Sequence, residues 1–296
     1  MPGGSALGCN GASAAPGNVI FLSTLCRPSV PAFAHEAWRI SRAPVRRRLA
    51  GTVGLLTHHG HANISHFLAD AIPRLWLLLR HDPVPDRFLI AAGAPAWRDE
   101  LLAIAGIEPE RCIAIADGEI IDADQLLIPE PSGFATAVAP WAAFAARSLL
   151  GGVRGEGKRR RLWISRGDAA RRWRYEDDCA AELDVRGFEL IRLESLSVAD
   201  QLTLTRSADV IAGPHGAGLA WIVTQPGPGL LWELSSPDHA HNDYRALSHV
   251  SGWHYDRTPV RDGLSMADDP DARLAEMTVP PRDVLAMLDR ALADMA

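Results

Sequence analysis

Hydrophobic spacing along the chain follows two periods. Short apolar runs over 19–25, 52–57 and 87–92 predict strands, with further strands near 111–115 and 125–128. Residues 64–80 (ISHFLADAIPRLWLLLR) carry apolar positions at helical spacing, and Pro73 inside that run predicts a local break or kink. Helices are also expected over 95–105, with Pro95 at the start, and over the alanine-rich stretch 138–150.

The second half is more regular. Strands at 161–165, 188–192, 208–212, 229–234 and 253–256 alternate with helices at 176–186, 197–206, 216–223 and 242–251. Short connections between alternating strands and helices predict a parallel sheet covered on both faces. Ligands of such sheets lie beyond the carboxyl ends of the strands. The resulting division is a small-residue tail over 1–18, a first domain over 19–150, a glycine-rich linker over 151–160, a second domain over 161–280 and a final amphipathic helix over 281–296. The Asp-rich stretch 261–275 reads as a loop.

Composition narrows the chemistry. A net charge of -6 and a pI near 6.0 speak against a nucleic-acid binder. Lys158 is the single lysine, which removes a P-loop nucleotidase and disfavours a Schiff-base enzyme. Cys9, Cys26, Cys112 and Cys179 are scattered without a Cys-x-x-Cys pair, so neither a zinc ribbon nor a disulfide framework is indicated. That pattern, with no signal-peptide core and no run of ~20 apolar residues, leads to a cytoplasmic expectation. The arginines at 42–48 allow peripheral contact with a membrane surface.

Three stretches carry candidate chemistry. Asp209-Val210-Ile211-Ala212 is followed at once by Gly213-Pro214-His215-Gly216-Ala217-Gly218 and an apolar helix. Unpaired amides at a helix start, with small residues that let a ligand approach, suit a phosphate. The same pattern also makes a tight turn that only packs helix on strand, and spacing leaves both readings open. Ser165-Arg166 ends a strand, with Arg171 and Arg172 close behind; guanidinium forks match phosphate oxygens without a metal, although solvated basic loops look alike. Glu233 ends the next strand, where a carboxylate can hold ribose hydroxyls or simply face solvent.

Taken in order, NISHFLADAIPRL, ISRGDAARR, GFELIRLESLSVADQLTLTRSADVIAGPHGAGLAW and PGLLWEL closely resemble glycosyltransferase family 61, over about 63–256 with a poorly matched middle. The resemblance implies a GT-B-like α/β fold: two Rossmann-like domains with parallel sheets facing a cleft. It implies an inverting transfer from a nucleotide-diphosphate sugar, a UDP-sugar first among them, to a glycan hydroxyl, with no required metal or further cofactor and with surface polysaccharide as the expected product class. Ser165, Arg166, Arg171, His215, Gly216, Ala217, Gly218 and Glu233 match the donor-side motifs. His66, Asp70, Pro73 and Arg74, with Asn63 just before them, match the acceptor-side motif. Tyr175 and Trp221 depart from the family pattern, which usually has Asn at both places.

An inverting transferase needs a base for the acceptor hydroxyl and positive charge for the leaving diphosphate. His66 or Asp70 is the expected base, and their i, i+4 spacing on one helix would let the carboxylate orient the imidazole. Two other readings compete. One is a non-enzymatic sugar-nucleotide or glycan-binding relative. The other is a metal-dependent hydrolase built on His58, His59, His61 and His66, although two adjacent histidines in an extended segment point opposite ways.

Overall fold

The computed structural model describes residues 1–24, 31, 34–41, 46–133, 138–151, 159–167, 169–235, 242–259 and 275–295. The chain forms two compact units, Met1–Phe134 with Phe144–Leu150, and Ala135–Ala143 with Gly151–Ala296. Both are α/β with parallel-rich sheets. The loop expected over 261–275 falls almost wholly outside the described residues, as do 152–158 of the expected linker.

The first unit holds seven strands: β1 (Ser5–Leu7), β2 (Ala12–Ala15), β3 (Val19–Ile20), β4 (Arg46–Leu55), β5 (Arg87–Ala91), β6 (Cys112–Ile115) and β7 (Ile120–Leu127). They lie in the order β3-β2-β1-β7-β4-β5-β6. The four strands β7, β4, β5 and β6 pair in parallel. The other three extend the sheet antiparallel from β7.

This corrects two expectations. Residues 1–18 are not a tail: β1 pairs with β7 on one side and with β2 on the other, and Ala6, Leu7, Ala12 and Ala14 are buried. The apolar run 19–25 supplies only the two-residue β3 and a 3₁₀ turn at Leu22–Thr24. Arg46, Arg47 and Arg48 lie in β4 and pair with Asp122, Glu119 and Asp124 respectively. Arg42 lies outside the described residues.

Helices of this unit are α1 (Ala37–Ile40), α2 (Ile64–His66), α3 (Ile72–Leu79) and α4 (Ala96–Ile104). Between α2 and α3 the backbone makes a π turn at Phe67–Ala71, with Ile72 N–H donating to the Phe67 carbonyl. The segment therefore continues through Pro73 where a break or kink was expected. Pro73 has no N–H to give the Ala69 carbonyl four residues back. The Ser132 hydroxyl, from the loop after β7, donates to that carbonyl instead. Helix α5 (Pro140–Leu150) follows.

The second unit is a five-stranded, fully parallel sheet: β8 (Arg160–Ile164), β9 (Phe188–Ile191), β10 (Ala208–Pro214), β11 (Leu230–Ser235) and β12 (His254–Pro259). Its order is β12-β11-β10-β8-β9. Helices α6 (Ala180–Val185), α7 (Val198–Arg206), α8 (Asp243–Ser251) and α9 (Pro281–Ala293) flank the strands in sequence. Helix α6 starts four residues later than its apolar pattern suggested. The stretch expected as an α-helix over 216–223 is a 3₁₀ helix, Ala217–Thr224, with Leu219–Thr224 all buried. Four tryptophans, Trp163, Trp173, Trp221 and Trp232, are fully buried, and α9 seals one face of the core with Val284, Leu285, Leu288 and Ala291. Burying such rings dominates the stability of a core this size.

Candidate functional site

In the second unit the chain runs from β8 outward to β9 and then returns past β8 to β10. Strand order reverses between β8 and β10, and a crevice opens at the carboxyl ends of strands at such a reversal. The two chemistry-bearing stretches leave these two strands: Ser165-Arg166 follows β8, and the glycine turn ends β10 and enters the 3₁₀ helix. Ser165, Arg166, Glu194, Gly216, Ala217 and Gly218, with Ile164, Leu193 and Pro214 behind them, line a cavity of about 180 Å³.

Backbone leaves no room for a side chain at one place in the turn. Gly213 has φ 152°, and a Cβ there would collide with the Ile164 carbonyl of the neighbouring strand. At Gly216 a Cβ would collide with the Arg166 guanidinium. Arg166 thus occupies the space a side chain would take. Its Nη1 donates to the His215 carbonyl at 3.1 Å and its Nε to the Ala170 carbonyl at 2.6 Å. Burial first, and then the like charge of Arg171, push the guanidinium below its usual range. Arg171 itself sits in the left-handed region at φ 63°, a costly position for a residue with a side chain. Two cations held close together, one of them with backbone carbonyls as partners, favour an anion between them. The amides of Ala217 and Gly218 precede the first intrahelical bond, Leu219 N–H to the Gly216 carbonyl at 3.0 Å.

The remaining donor-side residues hold this arrangement. Glu233 is fully buried, where a carboxylate open to a ligand was expected. One oxygen lies 2.5 Å from His215 Nδ1, and the other accepts from the Tyr255 hydroxyl at 2.6 Å. A carboxylate on Nδ1 fixes the ring's orientation and favours the tautomer with the proton on that nitrogen. The His215 imidazole is nearly buried, with its ring 4.9 Å from that of Tyr244, and it does not line the cavity. Tyr244 donates to the Gly216 carbonyl at 2.6 Å, and burial followed by the Glu233 charge pushes its hydroxyl up, so it remains a donor. Ser165 donates to Glu176 and accepts from Gly167 N–H at 2.9 Å, so its hydroxyl shapes the Arg166 loop. Glu176, buried and also bonded by Trp163 Nε1 at 2.7 Å, is an anchor that sequence reasoning did not single out. Its only signal was its place after the arginine cluster. Burial raises its carboxyl pKa, against the lowering effect of those two hydrogen bonds. Of the departures, Trp221 is a core residue donating to Gln201 Oε1 at 2.9 Å, and Tyr175 is half-buried against the core.

In the first unit, strand order reverses between β4 and β7. Thr57-His58 follow β4 there, and the loop carrying Ser132 follows β7. Asn63 is a helix cap: its side-chain oxygen accepts from Ser65 N–H at 2.9 Å. Asp70 and Arg74 form a buried ion pair, with Nη2 to Oδ2 at 2.9 Å and Nε to Oδ1 at 3.1 Å. Ser132 N–H adds a bond to Asp70 at 3.2 Å, and Arg74 Nη1 reaches the Thr57 carbonyl at 3.2 Å. Burial raises the Asp70 pKa while Arg74 opposes it. The carboxylate expected to serve as base is engaged by Arg74, and the arginine expected beside an acceptor is engaged inward. His66 is half-buried, its ring packed under Gly60.

His58 is deeply buried and its Nε2 has no partner among the described residues. Burial, then the charges of Arg74, His66 and His61, push its pKa down to about 3. Its 3.9 Å approach to Asp70 is therefore no ion pair at neutral pH. The sign of the linkage follows. Below about pH 6.5 the unfolded chain takes a proton that folded His58 refuses, so stability falls as pH drops from 6.5 toward 3. At pH 5 the loss is about 2 kcal/mol. Asp70, raised, acts in the opposite sense within its own window. We expect His58→Gln to flatten the difference in urea midpoint between pH 7 and pH 5 relative to the wild type; an unchanged difference refutes the assignment. Among the described residues, no group of three or more His, Cys, Asp or Glu side chains is arranged to hold a metal ion, so the four clustered histidines do not converge as a metal site. No helix among them is long and apolar enough to cross a membrane.

One relative is the EGF domain-specific O-linked N-acetylglucosamine transferase of Drosophila melanogaster, 30% identical over 115 residues, which is 38% of this chain and 22% of that protein. The chain thus aligns with about a fifth of that relative's length. The glycosyltransferase 61 family matches residues 64–228, a span that includes α2, the Ser165-Arg166 loop and the glycine turn and exceeds half of the 296 residues. On that match, the chain belongs to glycosyltransferase family 61.

Proposed function

We propose that this glycosyltransferase moves a sugar, with inversion, from a nucleotide-diphosphate donor to a hydroxyl of a glycan acceptor. One observation carries the donor half: Arg166 fills the space over Gly216, beside the unpaired amides of Ala217 and Gly218, with the charge of Arg171 bearing on it. In this reading the diphosphate lies at the β8/β10 reversal. Arg166, Arg171 and the two amides neutralise the charge that grows on the leaving oxygen. His215, Glu233, Tyr244, Ser165 and Glu176 keep those donors in place.

The two units then act as the acceptor-side and donor-side halves of a GT-B-type enzyme. On the acceptor side we assign His66 as the group that takes the hydroxyl proton, since Asp70 is engaged by Arg74. A UDP-sugar as donor, surface polysaccharide as the acceptor class, independence of metal and a cytoplasmic site of action belong to the same proposal.

A thermal-shift panel of UDP, GDP, ADP and CDP tests the donor half. A ligand that binds the native state raises the melting temperature by mass action, by the equivalent of about 2.7 kcal/mol at a hundredfold excess over Kd. One nucleotide should raise it well above the others. Activity with the matching nucleotide sugars, assayed by release of that nucleotide, separates a transferase from a binding-only relative. No shift with any nucleotide overturns the reading.

A further inference from the structure

The cavity at the β8/β10 reversal contains one group that does not suit an anion site. Glu194 lies in the 3₁₀ turn Leu193–Ser195, directly after β9, and lines the cavity opposite the glycine turn's amides. Its Oε1 would be 3.0 Å from a Cβ on Gly167, the residue next to Arg166. Its charge acts on Arg166, yet no described residue donates a hydrogen bond to it or forms an ion pair with it. Arg166 donates its hydrogen bonds to the Ala170 and His215 carbonyls instead.

A bare carboxylate beside a bound diphosphate costs repulsion unless it accepts hydrogen bonds from the same ligand. A nucleotide diphosphate offers such donors in its ribose hydroxyls. Counted within its unit, β9 is the second strand and flanks the first, β8, whose end carries Arg166, while the glycine turn ends β10 on the other side of β8. In dinucleotide folds an acidic residue some way beyond the anion-binding loop of the first strand holds the ribose, and Glu194 stands in that relation to the Arg166 loop. Sequence placed this role on Glu233, but Glu233 is buried under His215 and Tyr255, whereas Glu194 stands open in the cavity.

We propose that Glu194 is the residue that reads the ribose of the donor, accepting hydrogen bonds from its 2′- and 3′-hydroxyls and so selecting ribonucleotide over deoxyribonucleotide donors. This rests on the donor-site reading above. The carboxylate is acceptor-only when ionised, and a vicinal diol presents two donors to its two oxygens. A site built to bond a hydroxyl discriminates strongly against the analogue that lacks it.

The test is calorimetric titration of the full chain with the nucleoside diphosphate that gives the largest thermal shift, and with its 2′-deoxy and 3′-deoxy forms. Wild type should bind the ribonucleotide roughly tenfold or more tightly than either deoxy form, the scale of one charge-assisted hydrogen bond. Glu194→Ala should lose affinity for the ribonucleotide, leave the deoxy forms nearly unchanged and so erase the ratio; Glu194→Gln should fall between. Because Glu194 is exposed, the ligand-free melting temperature of both variants should match wild type. Equal binding of ribo and deoxy forms by wild type, or a ratio that survives in Glu194→Ala, overturns the proposal and leaves the donor site standing. Failure of wild type to bind any nucleoside diphosphate overturns both.

Discussion

Arg166→Ala should lower transfer about a hundredfold or more while the protein melts where wild type does. The magnitude follows from removing a donor that acts on developing charge, which commonly costs two to three powers of ten. Stability should hold because, among the described residues, the guanidinium is hydrogen-bonded to the Ala170 and His215 carbonyls alone, and its charge is opposed by burial and by Arg171. Removing one of two neighbouring cations relieves repulsion as well as losing two hydrogen bonds. Arg166→Lys keeps a charge but cannot fill the space over Gly216 with a planar fork, so it should recover only part of the rate. The loss should appear in kcat/KM and in the thermal shift given by the nucleoside diphosphate. Wild-type turnover in Arg166→Ala would remove the diphosphate from this turn.

Arg74→Ala should destabilise the first unit by about 3–5 kcal/mol, because it leaves a buried carboxylate without its partner. Asp70 accepts two bonds from Arg74 and one from Ser132 N–H, and both side chains of the pair are almost fully buried. Asp70→Ala should cost a similar amount for the mirror reason. The paired replacement Asp70→Leu with Arg74→Met should restore most of the loss, since an apolar pair of like volume often does as well as a buried ion pair. Urea unfolding of the three variants measures this directly. Single variants with wild-type midpoints would return Arg74 to the acceptor side, where the motif had placed it. The two experiments are complementary: one expects rate lost without stability, the other stability lost first.

Much of the second unit was legible along the chain because its strands are buried on both faces. Runs such as Leu230–Ser235 are buried throughout and open on three apolar residues, and the helices between them have their own period. The glycine turn was legible for a local reason too: Gly213 stands where a Cβ would strike the Ile164 carbonyl, and a chain announces such places by composition. The candidate site was read less well. Ser165, Arg166, Gly216, Ala217 and Gly218 line one cavity, as their motifs suggested, but His215 and Glu233 lie beneath it as a buried pair, and Glu194 takes the open place. Nothing local separates Glu194 from Glu233. Each sits close to a strand end, and only folding buries the one within β11 and leaves the one after β9 beside the reversal between β8 and β10.

The first unit shows the same division more sharply. Residues 1–18 carry glycine, alanine and serine in no period, so nothing in them predicts a strand; they become β1 and β2 because β7 offers an unpaired edge. Pro73 was read as a break because it lacks a donor; Ser132, sixty residues away in the sequence, supplies one, and the helix runs on through a π turn. The sequence by itself determined the period of each buried element, the positions where only glycine fits and the order of the family motifs, since these depend on neighbours along the chain. The tertiary structure decided which strand edges were filled, which carboxylates were buried and which arginine met which oxygen. Hydrogen-bond and charge partners are chosen through space, and only folding brings them within reach.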